Sequence, residues 1–247
     1  MQVVSAHFVQ DKVVLLRMDL DVPLDNGKIV EDFRLRVGLP TLQLCLDHAK
    51  QVIIIGHLGR PEGKENPSLS IAPIHQWLED NGFSQSLDDG KLQLMENLRF
   101  EPGEEAADPQ FAHQIAKLGD VFVNESFAAH HPAASTTVIP RLLPHAAGLH
   151  FAQEVKVLQA VRHEPKKPLI AIVGGIKIED KYPSVQGLAN FCDKVLVGGL
   201  LAQKIKDQGL PVGHNVILGV VDGIDMSEHT INYFCDILKD AKQIIWA

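Results

Sequence analysis

The sequence predicts an α/β protein built on parallel, doubly wound sheets, and three observations carry that reading. Short apolar runs, rich in Val and Ile and not alternating with polar residues, recur along the chain. Such runs suit strands buried on both faces. Each is followed at once by polar or glycine-rich residues, and the stretches between them carry apolar residues at helical spacing. Alternating strand and helix of this kind places ligands outside the carboxyl ends of the strands.

Taken in order, Val13-Val14-Leu15-Leu16 is the first strand and leads into Arg17-Met18-Asp19-Leu20-Asp21-Val22-Pro23. A helix is expected to start near Pro40, just after Asp32-Phe33-Arg34-Leu35-Arg36, with Leu39, Leu42, Leu46 and Ala49 as its apolar stripe. Val52-Ile53-Ile54-Ile55 leads into Gly56-His57-Leu58-Gly59-Arg60-Pro61, and Ile71, Ile74, His75 and Leu78 mark another helical stripe. Leu92-Gln93-Leu94-Met95 leads into Glu96-Asn97-Leu98-Arg99-Phe100. Asp108-Pro109, an N-cap followed by proline at the first helical position, opens a helix running to about Leu118. Val121-Phe122-Val123 then leads into Asn124-Glu125-Ser126.

A domain break is expected after Gly148. Leu149, Ala152, Val155, Leu158 and Val161 are spaced as a helix, and residues 163–168 form a polar, proline-bounded joint. The expected division is a first domain at 1–148, a helix and joint at 149–164, and a second domain at 165–247. In the second, Leu169 to Val173 leads into Gly174-Gly175-Ile176-Lys177, and Val195-Leu196-Val197 leads into Gly198-Gly199.

Composition narrows the function classes. A formal charge of −8 argues against a general nucleic-acid surface, so any bound anion needs a local cluster of Arg, Lys or His. No signal-peptide pattern opens the chain, and no apolar run approaches the roughly 18 residues of a membrane helix. A cytoplasmic location is expected. Cys45, Cys192 and Cys235 are widely spaced, without a CxxC pair, and read as small buried hydrophobes, so no metal site is expected.

If the strands lie side by side, Arg17, Asp19, Asp21, His57, Arg60 and Arg99 come together along one rim. Arg34 adds to them. Arginine offers a planar, permanently charged fork suited to phosphate and carboxylate, so a small anion bearing both groups fits this rim. The alternative is that the arginines pair with Glu96, Glu101 or Asp32 and only tie loops together.

These same segments resemble the phosphoglycerate kinase family. Residues 17–23 are similar to its RxDxNVP signature and residues 56–61 to SHLGRP. Residues 96–105 resemble ENxRF-x-x-x-E-E, Asp120 to Phe127 resembles DxFVNDAF, and His130 to Ser135 resembles HRxxxS. Order and spacing are kept almost throughout residues 11 to 200. The resemblance implies an N-terminal Rossmann-like domain in which Asp19, Asp21, Arg34, His57, Arg60 and Arg99 surround 3-phosphoglycerate. Arg34 would also reach the phosphoryl group in transfer. Residues 174–181 resemble GGAKvxdK, implying that Gly175, Lys177, Lys181, Gly198 and Gly199 serve ATP or ADP with Mg²⁺, and that Lys181 steadies the moving group.

Departures from the pattern matter too. Asp21 replaces the usual Asn, adding negative charge beside an anionic ligand, and His131 stands where the family carries another basic-patch Arg. Ile176 and Leu200 replace small residues and bring bulk toward the expected nucleoside pocket. The stretch after Leu201 is short, so a truncated second α/β domain is expected. Asp222-Gly223-Ile224-Asp225 and residues 244–247 resemble the family's DIGPxT-to-VVWNGPMG region, with the NGPMG and GGGDS-type loops lying beyond Ala247. Two functions follow. One is phosphoryl transfer between 1,3-bisphosphoglycerate and ADP, a step of glycolysis. The other is a catalytically weak or inactive homologue that binds 3-phosphoglycerate or a protein partner. An exposed sheet edge would favour a second chain.

Overall fold

The computed structural model describes residues 1–223 and 225–247; Ile224, within the DIGPxT-like stretch, lies outside the described residues. The chain divides into two compact units, Met1–Lys156 and Val157–Ala247.

The first unit is built on five parallel strands: β1 (Val13–Arg17), β2 (Gln51–Ile55), β3 (Leu92–Leu94), β4 (Val121–Asn124) and β5 (His145–Ala147). Their order across the sheet is β3-β2-β1-β4-β5. The chain therefore works outward from β1 to one edge and then returns to lay β4 on its other side. The order reverses between β1 and β4, where Arg17 stands in register with Asn124. In an open parallel sheet that crevice is where ligands bind.

Alternation along β1 explains the winding. Val14 and Leu16 enter one core cluster, with Leu42 and Leu46 of α1 (Phe33–His48) and Ile74 and Leu78 of α2 (Ala72–Leu78). Leu15 enters the opposite cluster, with Ile53, Phe122, and Ala112 and Ile115 of α3 (Pro109–Ala116). Both faces are dry, which accounts for the unbroken apolar runs.

Three local expectations need correction. The helix expected near Pro40 begins at Phe33, seven residues earlier, and Pro40 lies inside it. Proline there forgoes one backbone hydrogen bond, but Leu35, Leu42, Cys45 and Leu46 are buried along the helix and hold it. In the next helix His75 is exposed, 3.6 Å from Glu79, and Trp77 takes the buried position. The helix capped by Asp108 stops at Ala116; the cap itself forms, Asp108 Oδ1 accepting the Gln110 N–H at 2.6 Å.

The helix α4 (Leu149–His163) starts in the first unit, and the units part within it, after Lys156. Its first amides are satisfied from below. Thr41 Oγ1 accepts the Leu149 N–H at 2.8 Å, and Glu125 accepts those of His150 and Phe151 at 3.1 Å each. Thr41 also donates to Glu125 at 2.7 Å. Burial pushes the Glu125 carboxyl above its usual range.

The second unit repeats the design with β6 (Leu169–Val173), β7 (Lys194–Val197), β8 (Val216–Leu218) and β9 (Gln243–Trp246), ordered β8-β7-β6-β9 and all parallel. Leu169, Ala171 and Val173 pack against α5 (Ile178–Ala189) and α6 (Gly199–Asp207), through Val185, Leu201 and Ile205. Ile170 and Leu196 face Phe234 of α7 (Glu228–Leu238). At the β9 edge Ile244 and Trp246 are exposed. Among the described residues no helix is long and apolar enough to cross a membrane.

The capping arrangement at α4 is testable. Thr41→Ala strands the Leu149 N–H and removes a donor from buried Glu125, with an expected loss of about 1–3 kcal/mol. Urea unfolding followed by Trp77 fluorescence in a Trp246→Phe background measures it, since these are the only two tryptophans in the sequence.

Candidate functional site

Position at a strand end is what gives the first unit its charged site. Leu16 is the last apolar residue of β1, and Arg17 ends the strand while still inside, only 1% exposed. Its Nε donates to Ser135 Oγ at 2.8 Å, and one terminal nitrogen lies 3.5 Å from His57 Nδ1. The other, Nη1, is buried without a partner among the described residues. Ser135 in turn meets Glu104, which is also buried: its hydroxyl donates to Oε1 and its backbone N–H to Oε2 at 3.0 Å. Burial lowers the Arg17 pKa, and the charge of Glu104 opposes that shift.

Beyond the strand end the chain carries two carboxylates to the first turn of α1. Arg34 approaches Asp19 at 3.4 Å and Asp21 at 3.9 Å. Burial raises the Asp19 pKa, against the pull of Arg34. Asp21 Oδ1 accepts the Gly59 N–H at 2.8 Å, while the Gly59 carbonyl accepts from Arg99 at 2.8 Å. Gly59 holds φ of +63°, strained for most side chains, and a Cβ there would press on Leu69 Cδ2 at 2.7 Å, so glycine is favoured at this junction. Arg99 is further paired with Glu105 at 3.2 Å.

His57 follows β2 and is 7% exposed. Its pKa falls to about 4, first through burial and then through Arg17 and Arg99, with Asp21 opposing and Arg34 adding a little. The ring is therefore neutral at physiological pH.

Of the residues read from the sequence, Asp19, Asp21, Arg34, His57 and Arg99 are linked by these contacts and charges. Arg60 is exposed and has no carboxylate within 4 Å among the described residues. His131 is exposed and stacks on His130 at 4.6 Å between ring centroids. Neither is tied to the cluster by a recorded contact. Arg17, expected along the rim, lies buried beneath it because the sheet closes around the last residue of β1. Ser135 and Glu104 were visible in the sequence only as parts of motifs. Pairing of arginines with acids occurs, but with other partners than expected: Arg36 takes Asp32, Arg99 takes Glu105, and Glu96 instead accepts from Ser70 and the Ile71 N–H.

In the second unit Gly174 and Gly175 follow β6, with Gly175 at φ of +127°. A Cβ at Gly174 would meet nothing within 4 Å, and the Gly174 N–H donates to the Ala247 carbonyl at 3.2 Å. Lys177 is exposed at the N-cap of the twelve-residue α5, and Lys181 sits one turn on. A helix N-terminus and two lysines suit phosphate groups. Ile176 is 62% exposed and its carbonyl accepts from Lys204 at 2.6 Å, so its bulk faces outward; Leu200 is half-buried. Gly198 and Gly199 open α6, and a Cβ on Gly198 would collide with Met226 Sδ at 2.7 Å. Among the described residues no three His, Cys, Asp or Glu groups gather to hold a metal.

The His57 environment sets a pH dependence. Its folded pKa, about 4, lies below the ordinary 6.5. The unfolded chain thus binds the proton first, and this contribution to stability is lost as pH falls through that window. Relative to wild type, His57→Gln is expected to flatten the stability decline between about pH 6.5 and pH 4. Urea midpoints compared at matched pH measure the difference.

The family model for phosphoglycerate kinase matches residues 4–221. The curated phosphoglycerate kinase of Moorella thermoacetica is 37% identical over 228 residues, covering 85% of this chain and 58% of its own. That of Trichodesmium erythraeum is 37% identical over 233 residues, covering 86% and 58%. The chain thus spans 58% of the length of these curated relatives. The solved structure of phosphoglycerate kinase from Coxiella burnetii matches with a TM-score of 0.77 at 28% identity, over 96% of this chain and 77% of that one. The structure from Pyrococcus horikoshii, at 22% identity and a TM-score of 0.73, shares the fold. With most of its length matched by the family model and its two parallel sheets matched by solved members, the chain belongs to the phosphoglycerate kinase family.

Proposed function

We propose that this chain transfers a phosphoryl group between 1,3-bisphosphoglycerate and ADP, with 3-phosphoglycerate held by the first unit. The observation that supports it most is the charged cluster beyond the carboxyl ends of β1, β2 and β3, with Arg34 beside Asp19 and Asp21, Arg99 tied to the Gly59 carbonyl, and His57 neutral among them. A phosphate and carboxylate ligand is complementary to arginines presented as forks.

In the forward direction the bond between the acyl oxygen and phosphorus breaks, and a bond forms from phosphorus to a terminal phosphate oxygen of ADP. The carboxylate of 3-phosphoglycerate leaves with the former electron pair. ADP supplies the accepting oxygen when bound, and Mg²⁺ arriving with it spreads phosphate charge. What the chain contributes is positioning and charge neutralisation. By their places in the motifs, Arg34 in the first unit and Lys181 in the second are assigned to the phosphoryl group, and Gly175, Lys177, Gly198 and Gly199 to the nucleotide. Arg60 and His131, both exposed, are assigned to the periphery of the anion site.

Coupled spectrophotometric turnover is the test, run beside calorimetry with 3-phosphoglycerate and with ADP. Arg34→Ala and Lys181→Ala are each expected to lower kcat by roughly a hundredfold to a thousandfold, as loss of a cation aimed at developing charge does. Binding of 3-phosphoglycerate without turnover in the wild type would overturn the kinase reading and leave a binding homologue. Absence of both would overturn the site.

Asp21 makes a separate prediction. A carboxylate between Arg34 and the Gly59 amide opposes an anionic ligand, so Asp21→Asn is expected to tighten 3-phosphoglycerate binding by roughly tenfold to a hundredfold. An unchanged Kd by calorimetry would mean that Arg34 fully offsets the charge.

A further inference from the structure

Arg17 presents a puzzle that phosphoryl transfer does not absorb. It is a buried cation with no carboxylate within 4 Å among the described residues, and one of its terminal nitrogens has no partner. Buried polar groups are ordinarily satisfied, so an orphan of this kind calls for a reason. Its satisfied side faces two groups only: Ser135 Oγ at 2.8 Å and His57 Nδ1 at 3.5 Å.

Donor and acceptor chemistry then decides the histidine. A guanidinium has N–H donors and no acceptor, so the His57 nitrogen beside it must offer a lone pair. A proton on Nδ1 would face the guanidinium hydrogens. The ring proton must therefore sit on Nε2, provided that Arg17 is held still. Ser135 and Glu104 do that holding. The Ser135 hydroxyl gives its proton to Glu104 and uses its lone pair for Arg17 Nε, while its backbone N–H fixes Glu104 from the other oxygen.

We propose that the buried chain Glu104–Ser135–Arg17 is a positioning device that locks His57 as the neutral Nε2–H tautomer, a fixed hydrogen-bond donor in the anion site. Arg17 is thereby a positioning residue acting through His57. The charged groups acting on the ring are Arg17, Arg99 and Arg34, with Asp21 opposed to them. Burial first, and then three cations against one carboxylate, keep the imidazole neutral, while Arg17 selects which nitrogen carries its proton. The histidine then donates to an anion without first needing to be protonated, and affinity does not follow an ordinary histidine titration. The consequence for binding rests on the 3-phosphoglycerate reading; the tautomer does not.

The test uses the full chain, labelled with ¹⁵N and free of ligand, and reads the two-bond ¹H–¹⁵N correlations of the His57 ring, assigned by their loss in His57→Gln. The expected wild-type pattern has Nε2 protonated and Nδ1 as the acceptor, with a titration midpoint far below 6.5. A pattern with Nδ1 protonated, or a midpoint near 6.5, overturns the proposal without any variant having to fold. Ser135→Ala is the second arm, because it frees Arg17 while removing only an oxygen. It is expected to mix the tautomers and raise the midpoint, and an unaltered ring spectrum in this folded variant would refute the relay.

A 3-phosphoglycerate titration completes the experiment. Between about pH 5.5 and pH 8 the wild-type Kd is expected to follow only the ligand phosphate's own second ionisation, at about pH 6, and Ser135→Ala to bind several-fold more weakly with an added histidine step. If the tautomer is as proposed but 3-phosphoglycerate does not bind, the ligand reading falls and the positioning device stands. If the ligand binds while His57 carries its proton on Nδ1, the device alone is refuted.

Discussion

The charged site of the first unit depends on one guanidinium at the end of the central strand. β1 has neighbours on both sides and helices over both faces, so its last residue has no route to solvent along the sheet. A charge there is expensive unless it is compensated. The compensation is indirect: Ser135 bridges Arg17 to Glu104, each brought from a short helical turn far along the chain. Through this bridge the segments after β1, β3 and β4 are fastened beneath the rim. Everything above it, from His57 to Arg34, inherits that geometry.

Both units solve the same problem in the same way. Each begins with a strand that becomes the inner member of its sheet, builds outward, and then lays a later strand on the other side. The reversal leaves a crevice at the carboxyl ends, and the chain fills the two crevices differently. In the first unit side chains supply the charge, with Arg17, Arg34 and Arg99 near Asp19, Asp21 and a neutral His57. In the second the backbone is brought forward by Gly174 and Gly175, and two lysines complete the field. An acidic protein of net charge −8 can hold anions only by such local concentration.

The strand ends were legible because burial on both faces writes an unbroken apolar run, and a polar residue closing the run marks the crevice. The Asp108 cap was legible because its chemistry is local. Other features depend on partners remote in sequence. Nothing near Phe33 announces that α1 starts there, since Asp32 makes no side-chain cap and instead accepts from Arg36 and the Trp77 indole at 2.9 Å. Nor does the sequence separate a rim arginine from a buried one: Arg17 and Arg99 follow similar runs, yet one is enclosed and the other half-turned to solvent. The Arg17–Ser135 contact spans 118 residues and is a property of the topology.

Distances among the cations indicate which of them remain free for a ligand. Arg99 is committed twice, to the Gly59 carbonyl and to Glu105 at 3.2 Å, and its mobility is correspondingly small. Arg34 is different. Its side chain is 42% exposed, and its approaches to Asp19 and Asp21 are long, 3.4 and 3.9 Å. Ion pairs of that length on a half-exposed arginine are worth little, at most about 1 kcal/mol. They are enough to orient Arg34 toward the crevice and too weak to compete with a phosphate gripped by two parallel hydrogen bonds. Arg60 carries no such restraint among the described residues. The cluster therefore combines a fixed cation, Arg99, and a poised one, Arg34, with a neutral histidine, while Arg60 is exposed and untied to it. Arg34 is thus held loosely by two carboxylates, of which Asp19 is the nearer and more buried.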